Sequence, residues 1–518
     1  MNMDNNRQLI GTLNHELGEQ QKPKSLLDYL DDVRQALPVV DSVLSEHGDK
    51  TIAEYLETQN QFSAASFQPR DDLAEVVYNY AKPLLGEVVA RDAADELLAN
   101  PVVLTANHHG VDYFAQSVQG TLIFSLRKIN GKRAKTVPVF ACGNIPLNNV
   151  TYPRGALIYP SYFSANKNLQ SRVPLFPSKN RRDSVCTVRP YNKMDFLAFK
   201  NNLFKSIHPE YKIDVEKIIN EIYEPALDEI SYSDQSVKTN ALIWDKLLIN
   251  CPFSPKLVYL ELERIASELL KIDLNSIESL FSLLCINRSA RKMLFTVLKG
   301  KKNCWDIDFD NEGNIAKCIG TFLFWGVDKK GRRIALFEKY SDGKDYLCGR
   351  SDTGENFSIE LNPEKLTEAL KNNEVIPSLF CSYLVINMAR GVTGLGGYYQ
   401  ADYLPVMKNG VTDVMKEIYN DIDLSIIDAV KTNGYLSGMQ VVNQELGAEL
   451  LPVGPLEMII HGGLSEDSYN SLDQANVVQS HMYSLIETIF DVLPVKADMD
   501  FIKNNISEML YIKENSSF

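Results

Sequence analysis

Histidine is scarce in this chain, seven residues in 518, and tryptophan scarcer still, at three. Imidazole is the one side chain that ordinarily titrates near neutral pH, so where so few histidines fall is informative. Clustered positive charge is also scarce: the formal net charge is −14, and the one basic cluster, Lys179 to Arg182, is short. Nucleic acid and anionic membrane are thereby excluded as expected partners, because neutralising phosphates takes many clustered Lys and Arg. The eight cysteines (142, 186, 251, 285, 304, 318, 348 and 381) include no Cys-x-x-Cys pair. That argues against a zinc knuckle and a disulfide framework alike. No apolar run reaches the length of a membrane span, and the amino terminus, rich in Asn, Asp and Gln, lacks the charged-then-apolar form of a signal peptide. A cytoplasmic address and reduced thiols are the resulting expectations.

With 45% hydrophobic and 23% charged residues, the chain has apolar material for a large core divided among two or three domains. Residues 1–100 read as an amino-terminal helical region. Leu26, Leu27, Leu30, Val33 and Leu37 fall on one helical face, and Leu73, Val76, Tyr80, Leu84 and Val88 on another. From 101 to 192 the pattern changes to short apolar runs, Val102 to Leu104, Val137 to Phe140 and Ala156 to Tyr159, broken by Gly, Pro and Asn. This is α/β patterning. Residues 193–303 read as a helical insertion into that core, including a long apolar segment from Leu257 to Leu298. Residues 304–410 read as hairpins followed by the second half of the core, with turns expected at Lys329-Lys330-Gly331 and Asp342-Gly343. A carboxyl-terminal helical region is expected over 411–518.

Two of the seven histidines are adjacent, in Asn107-His108-His109-Gly110-Val111-Asp112, where the apolar run Val102 to Leu104 gives way to polar residues. A strand-to-helix loop is expected there, on the edge where open α/β sheets bind ligands. A second polar loop, Gly143-Asn144-Ile145-Pro146-Leu147-Asn148-Asn149 with Arg154 behind it, follows the strand at 137–141 and suits a small polar or anionic ligand. The third is Arg390-Gly391-Val392-Thr393-Gly394-Leu395-Gly396-Gly397-Tyr398-Tyr399. Its glycines allow backbone N–H groups to converge on an anion, with a helix starting at Tyr398 adding its dipole. It is not a Walker motif, since no Gly-Lys-Ser/Thr follows.

From about residue 100 to 410 the order of these segments resembles the family of the cysteine-adding enzyme of bacillithiol biosynthesis. In that family a strand, a Gly-Gln-Gln loop and a helix come first, where this chain has Val102 to Asn107, His108-His109-Gly110 and Phe114 to Lys128. A Val-Pro-x-Phe strand follows, as in Val137-Pro138-Val139-Phe140, and an Ile-Pro-Thr run precedes a Gly-Pro-Gly-Glu segment, as in Ile376-Pro377-Ser378 before Gly394 to Tyr399. The resemblance implies an α/β fold with a Rossmann-like core carrying helical insertions and an antiparallel hairpin segment, to which the periodicity adds the amino-terminal helical layer. The differences fall in the polar loops: Gln-Gln is replaced by His108-His109, the family's acidic second loop is neutral here, and the glutamate after the glycines is missing.

Three functions stay open on this reading. The first is a carbon–nitrogen ligase or condensing enzyme that joins an amino-acid-like substrate to an amine. In it His108 or His109 is general base and Asp112 orients the imidazole. Asn107, Asn144, Asn148, Asn149, Arg154, Arg390, Tyr398 and Tyr399 contact substrate, and Gly394, Gly396 and Gly397 cradle a phosphate or carboxylate. The second is a non-catalytic ligand-binding or scaffold protein on the same fold. The third is a metal-dependent hydrolase using His108, His109 and Asp112. The expected partner is a small-molecule substrate; the cofactor is unknown, with a nucleotide and a homodimer left open.

Overall fold

The computed structural model describes residues 26–148, 155–166, 170–301, 306–309, 315–319, 321–419, 421–446 and 449–492. At its centre is a sheet of five strands: β1 (Val102–Leu104), β2 (Thr136–Ala141), β3 (Lys256–Glu261), β4 (Thr393–Gly397) and β5 (Tyr435–Ser437). They lie in the order β5-β4-β1-β2-β3, and every neighbouring pair is parallel. Parallel neighbours need long crossovers, which is why helices separate the strands in sequence. The chain winds outward from β1 to β3, then returns to the other side of β1 for β4 and β5. The winding therefore reverses beside β1, and crevices at the carboxyl ends of such strands are where α/β sheets take ligands.

Alternate residues along each strand point to opposite faces. Val102, Leu104, Val137, Val139, Leu257 and Tyr259 join one core, while Val103, Phe140, Val258 and Leu260 join the other. The first core is covered by α1 (Ala115–Ser125) and α2 (Tyr232–Leu247), through Leu122, Ile243 and Leu247. The second is covered by α3 (Leu262–Asp273) and by helices Asp71–Leu85 and Glu87–Ala99, through Ile265, Leu269, Val77 and Ala93. Burial on both faces is what makes the strands read as unbroken apolar runs. The last helix to matter for the site is α4 (Tyr398–Ile418), which leaves directly from β4.

The sequence-based divisions need three corrections. The segment 193–303 is not purely a helical insertion, because Lys256–Glu261 within it is the edge strand β3. Likewise 411–518 supplies β5 to the same sheet. The stripe expected from Leu73 to Val88 stops short: Gly86, at φ 89°, ends the first helix, and Val88 on the next is 73% exposed. The hairpins are as expected. Phe337–Ser341, Lys344–Arg350 and Asn356–Glu360 form an antiparallel sheet, turned at Asp342 and Gly343 with φ of 54° and 77°. Among the described residues no helix is long and apolar enough to cross a membrane.

Arg390 belongs to this framework and not to the ligand edge. It precedes β4 at the amino end of the sheet and is fully buried. Its guanidinium donates to Asp72 at 2.7 and 2.6 Å, to Asp273 at 2.8 and 3.3 Å, and to the Val385 carbonyl at 2.7 Å. One planar group thus ties the helix at 71–85 to the end of α3 and to the segment before β4, using the forked geometry that only arginine offers. The expected substrate contact is corrected accordingly. Replacing Arg390 by Ala leaves Asp273, 3% exposed at its side chain, as an uncompensated buried charge. The expected loss in urea denaturation is about 3–5 kcal/mol. A loss below about 1 kcal/mol, the scale of a surface pair, would show that the clamp does not hold these elements together.

Candidate functional site

The histidine loop is not a free loop. Beyond Leu104 the backbone keeps pairing with both neighbouring strands. Thr105 N–H donates to the Leu395 carbonyl at 3.0 Å, Cys142 N–H to Asn107 at 2.8 Å, and His109 N–H to Cys142 at 2.7 Å. Gly110, at φ 121°, then turns the chain, a conformation that suits only glycine. Asn240 of α2 clasps that turn, donating to the Gly110 carbonyl and accepting from Asp112 N–H, each at 2.8 Å.

Asp112 is the best-connected group of the loop. Its carboxylate accepts from Phe114 N–H at 3.1 Å, from the Tyr259 hydroxyl at 3.3 Å and from the Ser117 hydroxyl. Burial pushes its pKa up to about 6, against the opposing pull of those hydrogen bonds. Asn107 donates to Ser117 at 2.8 Å and Thr121 at 3.2 Å, while its Oδ1 is buried without a hydrogen-bond partner. Asp112, Thr121, Asn240 and Tyr259, with the apolar Val118, Ile243, Trp244, Leu247 and Leu257, line a narrow crevice of about 20 Å³, room for about one water molecule.

His109 has a different role from the one expected. Its ring is wholly buried, stacked on Tyr259 at 5.8 Å, with Nε2 2.9 Å from the Ser233 hydroxyl, which also meets the Tyr80 hydroxyl at 3.0 Å. Burial lowers its pKa to about 3, so near neutral pH it is an uncharged imidazole too weakly basic for efficient proton abstraction. Tyr259 links the two residues, stacking on His109 and donating to Asp112, so the expected direct orienting bond is replaced by an indirect one. His108 is half-buried, and its carbonyl accepts from the Tyr259 hydroxyl at 2.7 Å.

The second loop is neutral in sequence, yet the fold supplies its acid from elsewhere. Glu263, in the first turn of α3, accepts from Gly143 N–H at 2.7 Å, Asn144 N–H at 3.0 Å and the Cys142 thiol at 3.1 Å. Glu261, at the end of β3, packs so close to Gly143 that a Cβ there would meet its Cγ at 3.0 Å. Burial first, and the neighbouring Glu263 charge second, push Glu261 up to about 8. Arg333 closes the loop from outside, donating to the Asn144 carbonyl at 2.6 Å and lying 4.6 Å above the Trp325 ring. Burial also pushes the Cys142 and Cys186 thiols well up, which leaves them protonated and poorly nucleophilic. Asn148 is exposed, its N–H donating to the Arg181 carbonyl at 3.2 Å. Asn149 and Arg154 lie outside the described residues.

The glycine loop does not form an open cradle. A Cβ at Gly396 would lie 2.4 Å from the Gln400 side chain, and one at Gly394 would meet Asn387 at 2.8 Å and Thr105 at 2.9 Å. Gln400 folds back over the glycines, donating to Thr105 Oγ1 at 2.6 Å and accepting from the Tyr383 hydroxyl at 2.9 Å. These glycines admit a side chain of the protein itself, which corrects the expected phosphate cradle. Gly397 caps α4; Tyr398 is buried, Tyr399 is 45% exposed, and both line a separate cleft of about 150 Å³ with Pro38 and Asp402.

The structure thus gathers Asn107, His108, His109, Asp112 and Asn144 at one edge, with Gly396 and Gly397 beside them at the end of β4. Sequence reasoning missed Tyr259, Glu261, Glu263, Ser233, Asn240 and Arg333. One signal was present: Leu257 to Leu260 ends in Glu261-Leu262-Glu263, the same passage from apolar run to polar residues that marks 104–112. Among the described residues no group of three or more His, Cys, Asp and Glu is arranged to hold a metal ion.

A pH dependence follows from Glu261. Its folded pKa lies above the unfolded value of 4.5, so the folded state holds the proton more tightly. The resulting stabilisation is present below pH 4.5 and is lost as pH rises through about 8. Glu261→Gln lacks that slope and should gain on the wild type by roughly 1 kcal/mol per pH unit across the window, read from urea titrations at several pH values. Parallel stability curves for the two proteins would rule this out. Comparison with protein-family models, with curated proteins and with solved structures finds no match to this chain.

Proposed function

We propose that the chain is a small-molecule enzyme on a Rossmann-like core, a carbon–nitrogen ligase or condensing enzyme joining an amino-acid-like substrate to an amine, with Asp112 as the proton acceptor. The observation that carries this reading is the Asp112 carboxyl. It is raised to about 6, borders a narrow crevice and is fixed by Ser117, Phe114 and Tyr259 just beyond the end of the central strand. A base poised near the working pH combines a useful ionised fraction with real proton affinity. His109, at about 3, lacks that affinity.

In this reading a nucleoside triphosphate first activates the substrate carboxyl as a mixed phosphoric anhydride; the amine nitrogen then bonds to the carbonyl carbon, the phosphorylated oxygen leaves as phosphate or nucleoside monophosphate, and the proton lost by nitrogen passes to Asp112. Tyr259 and Ser117 hold the carboxylate in place, and Asn107, through its unpartnered Oδ1, accepts a hydrogen bond from the substrate. His109 is a positioning residue that sets the Tyr259 ring. A cytoplasmic setting belongs to the same proposal; Cys142, Cys186, Cys251, Cys285, Cys348 and Cys381 are free thiols.

The test is a coupling screen of amino acids, amines and nucleotides, followed by mass spectrometry for a product equal to amino acid plus amine minus water. Asp112→Asn should lower kcat by roughly 10²–10⁴-fold, the range for loss of a general base. His109→Gln should keep activity within about tenfold. The wild-type rate should rise with pH through about 6 and then level, because the ionised carboxylate is the active form. No coupled product, or loss of activity in His109→Gln with Asp112→Asn unaffected, would overturn the assignment.

A further inference from the structure

Two basic loops distant in sequence meet at the rim of this site. Residues 178–182 contribute Lys179, Arg181 and Arg182, and the turn at 328–333 contributes Lys329, Lys330 and Arg332. The fold fixes both against the loop after β2. Leu147 N–H donates to the Asp183 carbonyl at 2.9 Å, and Asn148 N–H to that of Arg181 at 3.2 Å. The Arg332 guanidinium lies 3.5 Å from the Asp183 carboxylate, Thr187 donates to the Gly331 carbonyl, and Arg333 reaches the Asn144 carbonyl at 2.6 Å. The loop that Glu263 holds from within is thus flanked by cations from without.

The balance of charge here opposes that of the chain. Counting Arg333, seven cationic side chains lie on these two loops, against six carboxylates, Asp183, Asp328, Asp352 and Glu355 within the loops' reach and Asp195 and Glu263 acting on Lys179 and Arg333, in a protein of net charge −14. Arg332, beside the Asp183 carboxylate, and Arg333, on the Asn144 carbonyl, are engaged; the other five are held loosely. Asp328 accepts from the N–H groups of its own turn, Lys330 and Arg332, at 2.8 Å. Arg182 and Asp352 are 3.9 Å apart and Lys329 and Glu355 3.8 Å, all well exposed, a regime in which ion pairs contribute little. Lys179, Arg181 and Lys330 are exposed and, among the described residues, make no ion pair.

We propose that this rim binds the oligophosphate chain of a small molecule, delivering it to the Asn144 side of the carboxyl edge. Several cations set close together suit several linked negative charges better than one carboxylate, and guanidinium groups grip phosphate oxygens in pairs. The patch spans only two short loops on an acidic protein, which is too little for nucleic acid. The proposal concerns binding, and it stands whether or not Asp112 moves a proton.

Titration calorimetry of the full chain at low salt, with inorganic tripolyphosphate, ATP and adenosine, tests it. Tripolyphosphate and ATP should bind and adenosine should not. Raising the salt should weaken both, and the double variant Arg181→Ala/Lys330→Ala should bind each at least tenfold more weakly with its melting temperature unchanged. ATP binding tenfold tighter than tripolyphosphate would identify a nucleotide as the source of the phosphate chain, and equal affinities a non-nucleotide oligophosphate. A matched variant elsewhere on the surface, Lys217→Ala/Lys371→Ala, should keep wild-type affinity. Absence of tripolyphosphate and ATP binding, no change in the rim variant, or an equal loss in the matched variant would each overturn the proposal.

Discussion

The site depends on one constraint: the central strand β1 is only three residues long and completely buried. A strand this short cannot by its own pairing fix the loop that follows. The neighbours do so instead, through the continued hydrogen bonds from Thr105 to Leu395 and between Asn107, His109 and Cys142. Holding the loop inside the ladder also draws His109 and Asp112 out of water. Their opposite pKa shifts share one physical cause, since desolvation disfavours the charged form of acid and base alike.

The same logic separates the two acidic centres. Burial raises both: Asp112 is surrounded by hydroxyl and amide donors, which limits its rise to about 6, whereas Glu261 has a second carboxylate beside it as well and rises to about 8. Glu263 differs again. It accepts two backbone N–H groups and a thiol, and so shapes the loop after β2 from inside. The two loops that sequence alone presents as separate are thereby joined, Tyr259 of β3 reaching the first and Glu263 of α3 the second.

The sequence showed most of this where burial leaves a periodic trace. The runs 102–104 and 137–140 read as strands because both faces of the sheet are covered. Strand β3 was hidden because Leu257–Leu260 passes without Gly or Pro into an amphipathic helix whose apolar face, Ile265, Ala266, Leu269 and Leu270, continues the run of buried residues. The change of period from 2 to 3.6 is thus marked only by Glu261 and Glu263, without a turn residue. His108-His109 was legible as a place but not as a role, because the partners that set the role, Ser233, Tyr80 and Tyr259, are remote in sequence. The glycines at 394–397 were ambiguous for another reason. Close packing and phosphate binding both call for missing side chains, and what decides between them here is Gln400 on the first turn of α4, which fills the space.

Filling these spaces from within has a consequence for charge. Glu263 occupies the N–H groups of Gly143 and Asn144, and Gln400 occupies the hollow over Gly396, so neither place is left for an anionic ligand. Negative charge lies at the inner wall of the edge and positive charge at its outer rim, where water screens the cations from one another. Arg333 spans the two zones. Its nearness favours ionised carboxylates within, yet Glu261 and Glu263 are both raised, so desolvation outweighs that attraction. An edge built this way sets buried carboxyl groups, all with raised pKa values, at its inner wall and cations at its outer rim, held apart by the loop after β2.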